Sequence, residues 1–305
     1  MKFVFFGTAE FAVAPLHAIA PHVSLVVCQP PRPSGRGMKL QASPVQAAAE
    51  RAGLTVLTPD RARSPEFVER VREEHADALI VAAYGQILSV ALLESATHGG
   101  INLHGSILPE YRGAAPIQRC LLEGRSMTGV TLMQMDKGMD TGDMIDVAEL
   151  AIDPDETYGE LQGRLAEMAA DLLERWAPRL AVGNYPRTPQ DSTRATHAAK
   201  IERSDGLLNV RLPIGDVYNR FRAVTPGPGA FFALEEGPLR VLTCRRVVDM
   251  EAVPGQIVKR DGAWCLACQC GWLEIARVRP AGRSEMPFGD YLNGRRLASG
   301  DFLIA

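Results

Sequence analysis

Short unbroken apolar runs alternate with stretches where apolar residues recur every three or four positions through the first part of this chain. The runs at 2–6, 23–28, 54–57, 77–83 and 99–104 have the length and composition of buried strands. The periodic stretches at 11–19, 44–52, 65–74, 116–122 and 158–180 fit helices, and 128–134 alternates like a strand. Pro44 falls in the first turn of its helix, where no backbone N–H is needed. Strands alternating with helices predict βαβ units and a mostly parallel sheet, an α/β fold.

The rhythm changes at 184–196, which carries Pro186, Pro189 and mostly polar neighbours and reads as a linker. Beyond it lie one helix at 216–223 and short strand-like runs at 239–243, 255–258, 263–267 and 273–278. That spacing predicts a small β-barrel or sandwich. The expected division is an α/β domain at 1–183, a linker at 184–203 and a β domain at 204–305.

With 305 residues, 46% apolar and 23% charged, the chain has the makeup of a globular protein of about two domains. The longest apolar runs, such as 79–84, fall far below the ~20 residues of a membrane span. The apolar start at 1–6 is broken by Gly7 and Glu10, so it reads as a first strand and not a leader, and a cytoplasmic location is expected. The net charge of −3 is uneven: 1–183 carries −7 and 184–305 carries +4. A basic second part is a mild pointer to a polyanionic partner. Of six cysteines, Cys265, Cys268 and Cys270 have a spacing that could bind a metal with Cys244 as fourth ligand. The same stretch reads as strand–turn–strand with no histidine cluster nearby, so buried thiols and no metal are expected.

The chemistry concentrates at Asn102-Leu103-His104, followed by Gly105-Ser106-Ile107-Leu108-Pro109. Alternation along a strand points Asn102 and His104 the same way. In α/β sheets ligands bind beyond the carboxyl ends of strands, where Gly105 opens a loop. An amide beside an imidazole can polarise a carbonyl oxygen and handle a proton, which is the equipment of acyl transfer. Downstream, 135–143 holds Asp136, Asp140 and Asp143 among glycines. Turn-forming Asx bonds account for such a loop. One of these acids beside His104 would favour its imidazolium form and fix the ring, and spacing alone does not choose among them. Ala83-Tyr84-Gly85-Gln86 ends another central strand and faces the same crevice. Gly7-Thr8-Ala9-Glu10 lacks the full glycine fingerprint and a P-loop lysine, which argues against a dinucleotide. The loop at 30–43 sets Arg32, Arg36 and Lys39 among glycines and prolines, a composition suited to phosphates.

The run from Asn102 through Arg112-Gly113-Ala114-Ala115-Pro116-Ile117-Gln118 resembles the signature of the methionyl-tRNA formyltransferase family. So do 129–136, Asp140-Thr141-Gly142-Asp143, the Gly35-Arg36-Gly37 loop, 279–283 and 292–297, so the resemblance covers essentially the whole chain. It implies a Rossmann-like formyltransferase domain, a linker and an OB-like β-barrel domain that binds tRNA. It further implies transfer of a formyl group from 10-formyltetrahydrofolate to the amino group of methionyl initiator tRNA, with no metal required; a monomer is expected. The catalytic residues it implies are Asn102, His104 and Asp140. Its folate pocket falls on Ser106, Ile107, Leu108 and Pro109, with the backbone around Tyr84, Gly85, Gln86 and Leu88. Arg36 carries over as its loop residue aimed at the tRNA, and the loop's own composition adds Lys39 and Arg32 to the expected tRNA contacts. The chain departs from the family pattern at Pro31, Met38 and Gly227, and the Met38 change leaves the loop one cation fewer. Another folate-dependent formyltransferase or a 10-formyltetrahydrofolate hydrolase would share the Asn-x-His pair and the later acid, but needs neither the insertion loop nor a basic second domain. An RNA-binding protein with a degenerate enzyme domain would not need the intact trio.

Overall fold

The computed structural model describes residues 1–34, 39–247 and 253–304. The chain forms two compact units. The first comprises Met1–Pro116, Met127–Ala151 and Gln162–Ala199; the second comprises Ile117–Ser126, Ile152–Leu161 and Lys200–Ala305.

The first unit is built on a seven-stranded sheet. Its strands are β1 (Phe3–Gly7), β2 (Val23–Val27), β3 (Val56–Leu57), β4 (Ala78–Ala82), β5 (Gly100–His104), β6 (Met127–Gln134) and β7 (Met144–Ala151). They lie in the order β7-β6-β5-β4-β1-β2-β3. The five from β3 to β5 are parallel, while β6 and β7 are antiparallel to their neighbours. Every residue of β1 (FVFFG) and β4 (ALIVA) is buried, which is why these segments read as continuous apolar runs. The Ser43 hydroxyl accepts from Gln46 N at 3.1 Å and caps the helix Pro44–Arg51; Ser64 does the same for Pro65–Arg72. The strand order reverses between β1 and β4, the place where open α/β sheets of this Rossmann-like kind bind ligands.

Two segments differ from expectation. The basic loop contains a short hairpin, Arg32–Ser34 paired with Lys39–Gln41. Residues 184–199, the larger part of the segment expected as linker at 184–203, are laced into the first unit. Thr188 and Met144 exchange backbone bonds of 2.9 and 2.8 Å, and Tyr185 Oη donates to Gln134 Oε1 at 2.7 Å. The segment also holds a short strand, His197–Ala198, parallel to Arg112–Gly113, so proline and polar composition do not mark a chain without partners.

The second unit carries β8 (Phe231–Leu234), β9 (Gly237–Val247), β10 (Ile257–Arg260), β11 (Ala263–Cys268), β12 (Gly271–Arg279) and β13 (Met286–Pro287). The order is β8-β9-β12-β11-β10, all antiparallel, with β13 on the far end of β12. Phe232, Ile257, Leu266, Leu273, Phe288 and Leu292 lie in its core. Of the expected OB-like β-barrel domain, the structure shows a separate antiparallel sheet. Among the described residues no ladder joins β8 to β10, so the sheet is open. Register shifts at Thr243 bend β9, and β12 spends its two ends on different partners, β11 and β13.

Candidate active site

Asn102 and His104 share one face of β5, where they pair in register with Met133 and Thr131 of β6. Both are buried, at 9% and 6% exposure, so their polar atoms need partners. His104 Nε2 lies 2.9 Å from Tyr111 O. A carbonyl only accepts, so Nε2 carries a proton and Nδ1 is the nitrogen left for other work. Nδ1 faces Asp140, 3.7 Å from Oδ1. Asn102 Nδ2 donates to the same Oδ1 at 3.4 Å. Of the three acids in that loop, Asp140 is therefore the one that meets the pair. Asp136 instead closes the turn, accepting from Gly138 N at 2.9 Å and from the Thr141 hydroxyl.

Asp140 is held from both ends. Its Oδ2 accepts from Gly113 N at 2.9 Å, and its main-chain carbonyl accepts from Gln190 Nε2 at 2.9 Å. It adopts a left-handed φ of 55°, as do Ala83 (42°) at the end of β4 and Tyr111 (60°) after β5. Three non-glycine residues in this region at one crevice mark a backbone over-determined by its surroundings.

The expected folate-facing residues occupy loops leaving two adjacent parallel strands, β4 and β5. Ser106 is fully buried and donates to Glu110 O at 2.7 Å. Leu108 is buried, and Ile107 is half-buried. Thr131 on β6 fastens this loop: its hydroxyl donates to Ser106 O at 2.7 Å and accepts from Leu108 N at 3.0 Å. On the other side, the Tyr84 ring packs edge-on against Phe6 in the core, and Leu88 is buried. Burial, helped by Cys28 nearby, pushes the Tyr84 phenol up to about 12, so it stays neutral. Tyr84 O accepts from the Thr8 hydroxyl at 2.9 Å and from Gln29 Nε2 at 2.8 Å, leaving Gly85 and Ile87 as the exposed part of that segment. Gln86 Oε1 accepts from Ala62 N at 3.3 Å. Beside it, a cavity of about 660 Å³ opens at the carboxyl ends of β1, β2 and β4, lined by Thr8, Gln29, Arg32, Ser43, Arg51 and Gly85 among others. Arg32 reaches it through a hydrogen bond to Gln29. Arg36 and the side chain of Lys39 lie outside the described residues.

Sequence reasoning did not find Thr131, Thr196 or Gln190. Thr196 Oγ1 accepts from Tyr111 N at 2.8 Å. Their partners are remote in sequence, and only the hydroxyl of Thr131 amid an apolar strand hinted at a job. The cysteines are dispersed in environment: Cys265 and Cys268 are buried and Cys270 is exposed. Among the described residues no group of three or more His, Cys, Asp or Glu is placed to hold a metal.

A Rossmann-like sheet, an amide–imidazole–carboxylate cluster at its crevice and an antiparallel second unit are an arrangement suited to acyl transfer. Residues 1–176 match the family described as Formyl transferase, and 200–296 match Formyl transferase, C-terminal domain. The methionyl-tRNA formyltransferase of Methylobacterium sp. (strain 4-46) is 43% identical over 98% of both chains. That of Symbiobacterium thermophilum is 42% identical over 96% of this chain and 92% of its own. The chain belongs to the methionyl-tRNA formyltransferase family. In solved structures the same fold recurs at low identity. WlaRD, a sugar 3N-formyl transferase, is 16% identical with a TM-score of 0.66 over 93% of this chain and 99% of its own. HypX from Aquifex aeolicus is 14% identical with a TM-score of 0.68, and this chain spans 50% of its length.

Proposed function

We propose that this enzyme transfers the formyl group of 10-formyltetrahydrofolate to the free amino group of methionyl initiator tRNA, supporting translation initiation. The observation that carries the reading is the convergence of Asn102, His104 and Asp140, in a chain whose full-length relatives are named for this reaction.

The neutral amine attacks the formyl carbon, and negative charge builds on the formyl oxygen. The Asn102 amide and a proton on His104 Nδ1 are the donors for that oxygen; Nε2 is already committed to Tyr111 O. Asp140, beside both, takes the proton the amine loses, directly or through water. The tetrahedral intermediate then collapses: the bond from carbon to N10 of the folate breaks, N10 gains the proton held by Asp140, directly or through water, and the new amide remains on the methionyl group. Residues 106–109 form one wall of the folate pocket, and the backbone from Tyr84 through Leu88 forms the other. Their support is rigidity: the first is pinned by Thr131 and the second by Thr8 and Gln29.

For the acceptor, Arg32, Arg36 and Lys39 supply phosphate contacts, and the positive second part, an OB-like module at 204–305, supplies the rest. The chemistry belongs to 1–183 and the connecting segment to 184–203. The enzyme acts in the cytoplasm as a monomer; among the described residues no helix is long and apolar enough to cross a membrane. Folate turnover measured with and without charged tRNA tests the reading. Strict dependence on the charged tRNA is expected, and equal release of formate without it would replace the transferase by a hydrolase.

A further inference from the structure

We infer that Gln190 is a positioning residue for formyl transfer, setting the backbone that carries Asp140. The inference rests on the catalytic reading of Asp140 given above.

The Gln190 amide is fully used. Nε2 donates to Asp140 O at 2.9 Å and to Gly142 O at 2.8 Å. Oε1 accepts from Arg112 Nε at 3.0 Å and Nη2 at 2.7 Å. Arg112 precedes Gly113, whose N–H holds the Asp140 carboxylate. The bonds therefore close a ring: Asp140 carboxylate, Gly113 backbone, Arg112 guanidinium, Gln190 amide, Asp140 carbonyl. That ring surrounds a residue whose φ of 55° an L-amino acid other than glycine adopts reluctantly. Only an amide meets the demand, two donors for carbonyls on one side and an acceptor for a guanidinium on the other. Glutamate keeps the acceptor and loses the donors; alanine loses both. Gln190 is itself fixed, because its segment is tied at Thr188 to Met144 and at Thr196 to Tyr111. Residues 188–196 thus act as a strap that sets the two loops facing His104.

The test compares variants of the full-length enzyme, using 10-formyltetrahydrofolate and methionyl initiator tRNA, with melting temperatures in parallel. Gln190→Ala is expected to lower kcat about tenfold to hundredfold while KM for the folate moves less than about twofold. Gln190→Glu, which preserves the contact with Arg112, is expected not to restore kcat. Tyr185→Phe removes a bond that lies before the strap and away from Asp140, and is expected to lower the melting temperature slightly at wild-type kcat. Gln190→Ala placed on Asp140→Asn is expected to add little to the loss. Wild-type kcat in Gln190→Ala, recovery in Gln190→Glu, or an equal loss of kcat in Tyr185→Phe would each overturn the positioning role. If Gln190→Ala does not fold, Gln190→Glu and Tyr185→Phe decide alone. Asp140→Asn separates the two levels: if it turns over normally the catalytic reading itself has failed, whereas its collapse beside a normal Gln190→Ala removes only the inference.

Discussion

The main-chain N–H of Gly113 points at Asp140 Oδ2 from 2.9 Å. This single bond couples the loop after β5, which carries Tyr111, to the acid facing His104. It exists because Gly113 adopts a φ of 123° that side chains rarely tolerate. A Cβ there would also approach Ala198 O to 2.7 Å.

Gly113→Ala should therefore harm both stability and turnover. A left-handed strain plus a clash with backbone costs about 1–3 kcal/mol, and the displaced N–H releases the Asp140 carboxylate. Chemical denaturation and steady-state formyl transfer on the same preparation check this. Loss of stability with unchanged kcat would separate the glycine from the chemistry.

Thr131→Val keeps the shape of the side chain but removes the bond to Ser106 O and the acceptor for Leu108 N. Each buried group left unsatisfied costs about 1–3 kcal/mol. Because the loop at 106–109 is a wall of the folate site in the proposed function, the expected kinetic signature is a raised KM for the folate, larger than the loss in kcat. Titration of folate at saturating charged tRNA measures it.

Glu74 offers a pH test independent of the active site. Burial acts to raise its carboxyl, but the Ser24 hydroxyl, Arg70 at 2.8 Å and Lys2 at 3.4 Å outweigh it and hold the group below the usual carboxylate range. A folded pKa below the unfolded one gives stability that is fully present above the unfolded value and is lost as pH falls through the folded value. The stability difference between wild type and Glu74→Gln should be about 1 kcal/mol or less at neutral pH and should shrink below about pH 4. Urea unfolding across pH checks the sign. A difference that grows on acidification would contradict it.

Binding of initiator tRNA should weaken steeply with salt, since each neutralised phosphate contributes a slope of about one in log K against log salt. Arg36→Ala should lower affinity and flatten that slope by about one. An unchanged slope would remove Arg36 from the phosphate contacts.

Much of this was legible in the sequence where local pattern and tertiary role agree. The helices Pro116–Leu122 and Tyr158–Leu180 fall at the expected bounds, and β4 and β5 lie within a residue or two of theirs. The strand β7 escaped because it is only half-buried and carries Asp146 and Glu149; its existence depends on the ladder with β6, a non-local pairing. In the second unit the four expected strand-like runs all overlap strands, but Phe231–Leu234 and Met286–Pro287 were not read, being short segments whose place depends on pairing with remote partners, and spacing alone leaves barrel and sandwich open. Asn102 and His104 could be placed on one face by alternation alone, whereas the meeting with Asp140 needs the 135–143 loop to return across the sheet. Gln190 was invisible for the same reason: its amide partners lie 50 and 48 positions away, and its own surroundings read as linker.

The most direct test is single-turnover formyl transfer from 10-formyltetrahydrofolate to methionyl initiator tRNA and to methionyl elongator tRNA, run with wild type and His104→Ala. Strong preference for the initiator is expected, with a loss of about 10²–10³ in rate for His104→Ala without loss of fold. Equal rates on both tRNAs, or an unchanged rate in His104→Ala, would contradict the proposed function.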